Sequence, residues 1–215
     1  MNQTFGNRML RTLIAPGLLV LGSLFAPPAL AAEGSGFYFG VSVGPSFLST
    51  TIESSVGTVK DRDAAFRMYA GKRILDWLSV EFGLTDIGRA SLAGTTLDSF
   101  SVDGSPGQFA RTAEVRSAFQ SFTVSAVFDY PFLEDYYAFG RAGVNFWNAE
   151  MESSQTTYVS PDNQSGGGFY LGAGAGYRFN DHLHFRAELE YYAVGAEASG
   201  LSGATALSIG VQVVY

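Results

Sequence analysis

The stretch FYLGAGAGYRFNDHLHFRAELEYY, residues 169–192, decides the fold. Phe169, Leu171, Ala173, Ala175, Tyr177 and Phe179 share one parity, and Tyr170, Gly172, Gly174, Gly176 and Arg178 share the other. After Asn180-Asp181, a turn-forming pair, the alternation resumes: Leu183, Phe185, Ala187, Leu189 and Tyr191 oppose His184, Arg186, Glu188, Glu190 and Tyr192. Side chains of a strand point alternately to its two faces, so a period of two with a greasy side and a small or polar side describes a strand. Two such runs across a tight turn describe an antiparallel hairpin.

The pattern recurs in both directions. Phe37, Phe39, Val41, Val43 and Phe47 alternate with Tyr38, Gly40, Ser42, Gly44 and Ser46; Phe66, Met68, Ala70 and Ile74 with Arg67, Tyr69, Gly71 and Arg73. Leu78, Val80, Phe82 and Leu84 oppose Ser79, Glu81, Gly83 and Thr85, and Phe122 to Tyr130 oppose Ser121 to Asp129 in the same way. Tyr136 to Phe146 alternates less cleanly, and Leu207 to Tyr215 closes the series. That makes eight strands of roughly ten residues, the length that a tilted strand needs to cross a bilayer core. Short turns are expected at Leu75-Asp76-Trp77, Pro131 to Asp135 and Asn180-Asp181. Long polar loops are expected from Leu48 to Asp63, Asp86 to Ser117, Trp147 to Gly167 and Ala193 to Ala204. The fold class is therefore all-β, an eight-stranded antiparallel up-and-down barrel.

A soluble barrel and a transmembrane one share this alternation and turn it opposite ways. The polar parity is loaded with glycine, serine and alanine, which would weaken strands on a solvated exterior but relieve crowding inside a narrow barrel. Aromatic residues also gather at strand ends, as they do at membrane interfaces. Trp77, Tyr130, Tyr136, Tyr177 and Tyr215 lie towards the short turns, Trp147 and Tyr191 towards the long loops. A transmembrane barrel with its polar face enclosed follows.

Residues 1–31 read as a cleaved secretory leader: Arg8 and Arg11, an apolar run from Leu13 to Ala26, and the small-x-small site Ala29-Leu30-Ala31. Pro27-Pro28 interrupts the run, against a membrane anchor. The remaining domain, 32–215, carries 11 basic and 20 acidic residues, a balance that phosphates of nucleic acid would repel. With no cysteine there is no thiolate metal site, disulfide or lipid-attachment site.

The runs Gly172 to Asp181 and Leu183 to Tyr192 resemble the sixth and seventh strands of OmpA-like and related small outer-membrane β-barrels, and Leu78 to Gly88 looks like their third. Val211-Gln-Val-Val-Tyr215 resembles the C-terminal signal that such proteins present to the barrel assembly machinery through a terminal aromatic. The resemblance implies a cell outer-membrane location, both termini in the periplasm, and contact with outer-membrane lipids and lipopolysaccharide. The chain stops at the last strand, so the peptidoglycan-binding domain of full-length OmpA is expected to be absent.

By parity the lumen should hold Arg67, Arg141 and Arg186 with Glu81, Glu188 and Glu190, near Tyr69, Tyr170 and Tyr192. Charges enclosed in a narrow interior must pair or be hydrated, so an ion-pair network is expected there. It resembles the charged interior of the OmpA-like barrels, where such pairs plug a narrow water path. No cofactor, metal or catalytic site is expected. The only histidines, His182 and His184, share a parity without a third ligand, and Gly172 to Gly176 lacks phosphate-loop spacing. Lipid A-modifying enzymes exist on this architecture but act at the outer leaflet, whereas both histidines lie at a short turn. The function expected is a structural or surface-interaction barrel with displayed loops that can hold a ligand; a narrow pore for small solutes or ions is the alternative.

Overall fold

The computed structural model describes residues 36–50, 52–54, 61–94, 98–102, 105–108, 113–153, 164–196 and 201–215. The leader, 1–31, lies outside them, as do parts of the expected loops.

Eight strands close a barrel: β1 (Phe37–Thr50), β3 (Arg62–Leu75), β4 (Leu78–Gly94), β7 (Ala113–Pro131), β8 (Tyr136–Ser153), β9 (Gln164–Arg178), β10 (Leu183–Ala196) and β11 (Leu201–Val214). Every pairing is antiparallel, each barrel strand pairs with the next in the chain, and β1 pairs with β11 to complete the ring. This is the up-and-down topology, which leaves no open edge. The β9–β10 turn is held by Asn180, whose side-chain oxygen accepts the backbone N–H groups of His182 at 2.9 Å and Leu183 at 2.8 Å.

Alternation sorts the faces. Ser42, Arg67, Glu81, Thr123, Arg141, Arg186 and Glu188 are buried inside, while Val43, Phe66, Leu84, Val144, Leu171, Leu189 and Ile209 are exposed outside. Water tolerates contiguous apolar patches of only a few hundred Å² on a monomer. A whole belt of Phe, Leu, Ile and Val around a closed barrel requires hydrocarbon beside it.

The glycines of the inner face serve as sockets. In the cross-strand pairs Tyr38↔Gly71, Tyr69↔Gly40, Tyr137↔Gly176 and Phe139↔Gly174, the ring lies over its glycine partner. A Cβ on Gly71 would sit 2.2 Å from the Tyr38 ring, and one on Gly176 2.1 Å from that of Tyr137. Rings and glycines together fill a bore too narrow for two large side chains in register.

The expected loops are corrected in part. β4, β7 and β8 run for 17, 19 and 18 residues, well beyond the roughly ten that cross a bilayer, and so continue through segments read as irregular. Above the belt the outward residues turn polar: Asp86, Gln120, Asn148 and Ser165 are all exposed. A bulge between Asp86 and Gly88, where Gly88 adopts φ +84°, shifts the inward parity of β4 from Ile87 to Ala90. Two long connections also contribute strands, β2 (Ile52–Ser54), β5 (Ser99–Val102) and β6 (Ser105–Gln108), to a separate three-stranded antiparallel sheet.

Candidate functional site: the barrel lumen

The six charged residues assigned to the lumen come together from four strands. Glu81 is the hub: Arg67 Nη2 donates to it at 2.6 Å, Arg141 Nη1 at 2.9 Å, Arg186 Nη1 at 3.1 Å, and the Tyr38 hydroxyl at 3.1 Å. Glu188 lies 2.7 Å from Arg141 Nη2, 3.2 Å from Arg186 Nε and 3.8 Å from Arg67 Nη1. Its oxygens make no aligned hydrogen bond, so charge and proximity hold it. Glu190 lies within 3.3 Å of Arg141 and 3.5 Å of Arg67 and accepts from the Tyr170 hydroxyl. Three guanidinium groups face three carboxylates, so the layer sums to zero formal charge. Their side chains are at most 2% exposed, and balance is what makes such burial tolerable.

Sequence reasoning placed Tyr69, Tyr170 and Tyr192 beside the network but missed Tyr38, Gln212 and Phe139. Arg186 Nη1 donates to Gln212 Oε1 at 2.9 Å, and its guanidinium lies 4.1 Å over the Phe139 ring and 5.1 Å over that of Tyr69. Tyr38 and Gln212 carried the inward parity and were open to the same argument. Phe139 was obscured by Phe-Gly-Arg-Ala-Gly, residues 139–143, where the outward side holds small residues too.

Towards the loop end the lumen is apolar, which corrects the expectation of a polar interior throughout. Leu48, Ile87, Phe119, Trp147 and Val194 are buried there with Tyr170, Tyr192 and several alanines. Trp147, expected at the membrane interface, belongs to this cluster at 7% exposure. The reason is parity: Phe146 points outward, so its neighbour must point in, and Gly166 across the ladder leaves room for the indole. Of the other interface aromatics, Trp77, Tyr130, Tyr136 and Tyr191 are exposed outside the bore, and Tyr177 is half-buried with its ring 4.9 Å from that of Tyr136. Tyr215, the residue after β11, is half-buried.

Towards the turn end, Val127, Tyr137 and Phe139 form a second apolar cluster. A mouth of about 390 Å³, lined by Arg73, Glu134, Asp135, Arg178, Asp181 and His184 among others, lies at that end. Room of about 10 Å³, lined by Tyr38, Asp129, Tyr137, Arg186 and Gln212 among others, is enough for roughly one water molecule. His184 packs edge-on at 6.0 Å from the Tyr137 ring, and His182 Nδ1 lies 3.1 Å from the Val214 carbonyl oxygen. Among the described residues no cluster of three or more His, Asp or Glu is placed to hold a metal ion.

A closed meander barrel with an apolar exterior and an enclosed charged layer defines a transmembrane β-barrel of the outer-membrane type. Residues 17–214 match the outer membrane protein beta-barrel domain, and the chain belongs to that family of small, OmpA-like barrels. Among solved structures, Neisserial surface protein A is similar at 18% identity and TM-score 0.58, over 84% of this chain and 98% of that one. The N-terminal β-barrel domain of Pseudomonas aeruginosa OprF is similar at 11% identity and TM-score 0.51, over 84% and 98%. No curated protein matches the chain. The family places the protein in the Gram-negative outer membrane.

Proposed function

We propose that the protein is a non-conducting scaffold of the outer membrane. Its lumen is plugged, its tall end and loops are displayed outside for contact with a surface ligand, and both termini lie in the periplasm. What supports this reading is the filled bore: a neutral ion-pair layer with apolar side chains on both sides of it. An ion entering such a bore would lose its hydration without a compensating charge. The strands that rise past the apolar belt suit display, because a rigid wall carries the loops clear of the lipid. The carboxy-terminal Tyr215 is proposed to be the residue read by the assembly machinery.

The test is planar-bilayer recording on the full chain, with Arg186→Ala alongside. The proposal expects a silent baseline from the wild type. Discrete openings would favour the narrow-pore reading instead, for which buried lumenal hydroxyls without a protein partner, on Ser42, Tyr69, Ser121, Ser125 and Ser208, give a specific basis as water sites.

A further inference from the structure

A proline stands inside the first strand of the barrel. Pro45 lies within β1, which pairs with β3 on one flank and with β11 on the other. Proline has no N–H to give a ladder, so strands bonded on both flanks rarely hold one. The β1–β3 ladder runs unbroken past it, with Gly44, Pro45 and Ser46 opposite Ala65, Ala64 and Asp63. The β1–β11 ladder does not. Val43 pairs with Ile209 and Ser46 with Ala206, and the two pairs between them are missing although the register is unchanged. In the other seven ladders the pairing is interrupted only at bulges. The donor that Pro45 lacks therefore faces β11, and the carbonyl left without it is that of Leu207, directly opposite.

That carbonyl is turned towards the bore, since a Cβ on Gly44, an inward position, would collide with the Leu207 oxygen. Around the gap the inward residues are Ser42, Gly44 and Ser46 on β1 and Ala206, Ser208 and Gly210 on β11. All are small, so the two strands bring no ring or guanidinium group to brace the gap from inside. Ser42 and Ser208 are buried, and their hydroxyls have no hydrogen-bond partner. Outside, Val43, Leu207 and Ile209 are apolar and exposed and offer the carbonyl no donor.

A groove of about 630 Å³ runs over the outer side of the same seam, lined by Val41, Val43, Ile209 and Val211 among others. Ser42 and Gly210 line it too, although their parity is inward. At Gly210 the wall between groove and bore is backbone alone.

We infer that the β1–β11 seam is a lateral gate in the barrel wall. It parts at Gly44-Pro45 and Leu207-Ser208 and gives a small uncharged molecule dissolved in the membrane a way from the outer groove to the Ser42 and Ser208 hydroxyls. The other seams stay shut because their ladders are complete. Opening is sideways, so it leaves the axial plug in place and does not rest on the proposed silence of the bore.

The chain has no cysteine, so single thiols can test the gate in lipid vesicles. Ser208→Cys places one at the seam; Ser125→Cys, equally buried at 4% exposure and also inward, places one on the unbroken β7 ladders. With methyl methanethiosulfonate, a small uncharged reagent, Ser208→Cys is expected to react roughly tenfold faster, the effect of about one hydrogen bond on an opening equilibrium. Adding Pro45→Ala, which returns an N–H to the Leu207 carbonyl, is expected to bring the two rates together. Equal rates at the two positions, or a fast rate at Ser208→Cys that survives Pro45→Ala in protein folded by heat-modifiable gel mobility, would overturn the gate. Hydrogen exchange on the unaltered chain gives a second reading: amides of residues 206–209 are expected to exchange faster than those of residues 123–126, and equal protection would overturn it as well. Planar-bilayer current from the same samples reads the axial plug separately.

Discussion

At the scale of single residues, complementarity in the bore sets the tolerances. Gly176 is the socket of the Tyr137 ring, and an added methyl would lie 2.1 Å from it. Gly176→Ala is expected to lower the urea midpoint in lipid vesicles by the equivalent of about 1–3 kcal/mol, the usual cost of overpacking. Combining it with Tyr137→Ala should recover part of that loss, and strict additivity of the two would show that they do not share one space. Glu81 is the opposite case, a residue whose removal leaves too much charge behind. Three guanidinium groups would then face two carboxylates in a buried layer, and Glu81→Ala is expected to cost about 3–5 kcal/mol in the same assay. The network residues were legible because charge on the inward parity of a narrow barrel has nowhere else to go. Their wiring was not, since parity gives a face and says nothing about which side chains reach each other around the ring.

At the scale of strands, the alternation was readable wherever the outward side touched hydrocarbon and faded where it did not. Leu78 to Leu84 declares itself through Leu, Val, Phe and Leu on one side. Beyond Asp86 the same strand continues to Gly94, yet Arg89 is exposed, Gly, Arg, Ala and Ser interrupt the apolar alternation, and the segment reads as a loop. The bulge at Gly88 adds to this by shifting the parity midway. Trp147 was misplaced for a related reason: aromatic residues at strand ends suggest a girdle, although the parity of β8 already assigned Phe146 outward and Trp147 inward. The two tryptophans of the chain make the correction measurable. With Trp147→Phe, the emission of Trp77, 52% exposed at the turn end, is expected to be quenched by brominated acyl chains. With Trp77→Phe, the emission of Trp147 should be blue-shifted and indifferent to them. Strong quenching of Trp147 by brominated lipid would return it to the interface.

At the scale of the whole molecule, the bore holds two kinds of barrier in series, and the proposed silence of the barrel depends on both. The charged layer is polar and could take up water if its balance were broken; the cluster of Leu48, Ile87, Phe119 and Val194 towards the loops has nothing to offer an ion. Barriers in series are governed by the higher one, so opening either alone should leave the path closed. Glu81→Ala is therefore expected to give no current in planar bilayers despite its loss of stability. Ile87→Ser with Phe119→Ser should also be silent, because the neutral ion-pair layer remains. Only the combination of all three substitutions is expected to produce stepwise conductance, weakly selective for anions because the surviving charged layer then carries an excess of one positive charge. If Glu81→Ala alone conducted, the apolar layer would be no barrier and the plug would reside wholly in the ion pairs. If the triple variant, folded by gel mobility, stayed closed, the obstruction would lie elsewhere, with the Val127, Tyr137 and Phe139 cluster at the turn end as the next place to cut.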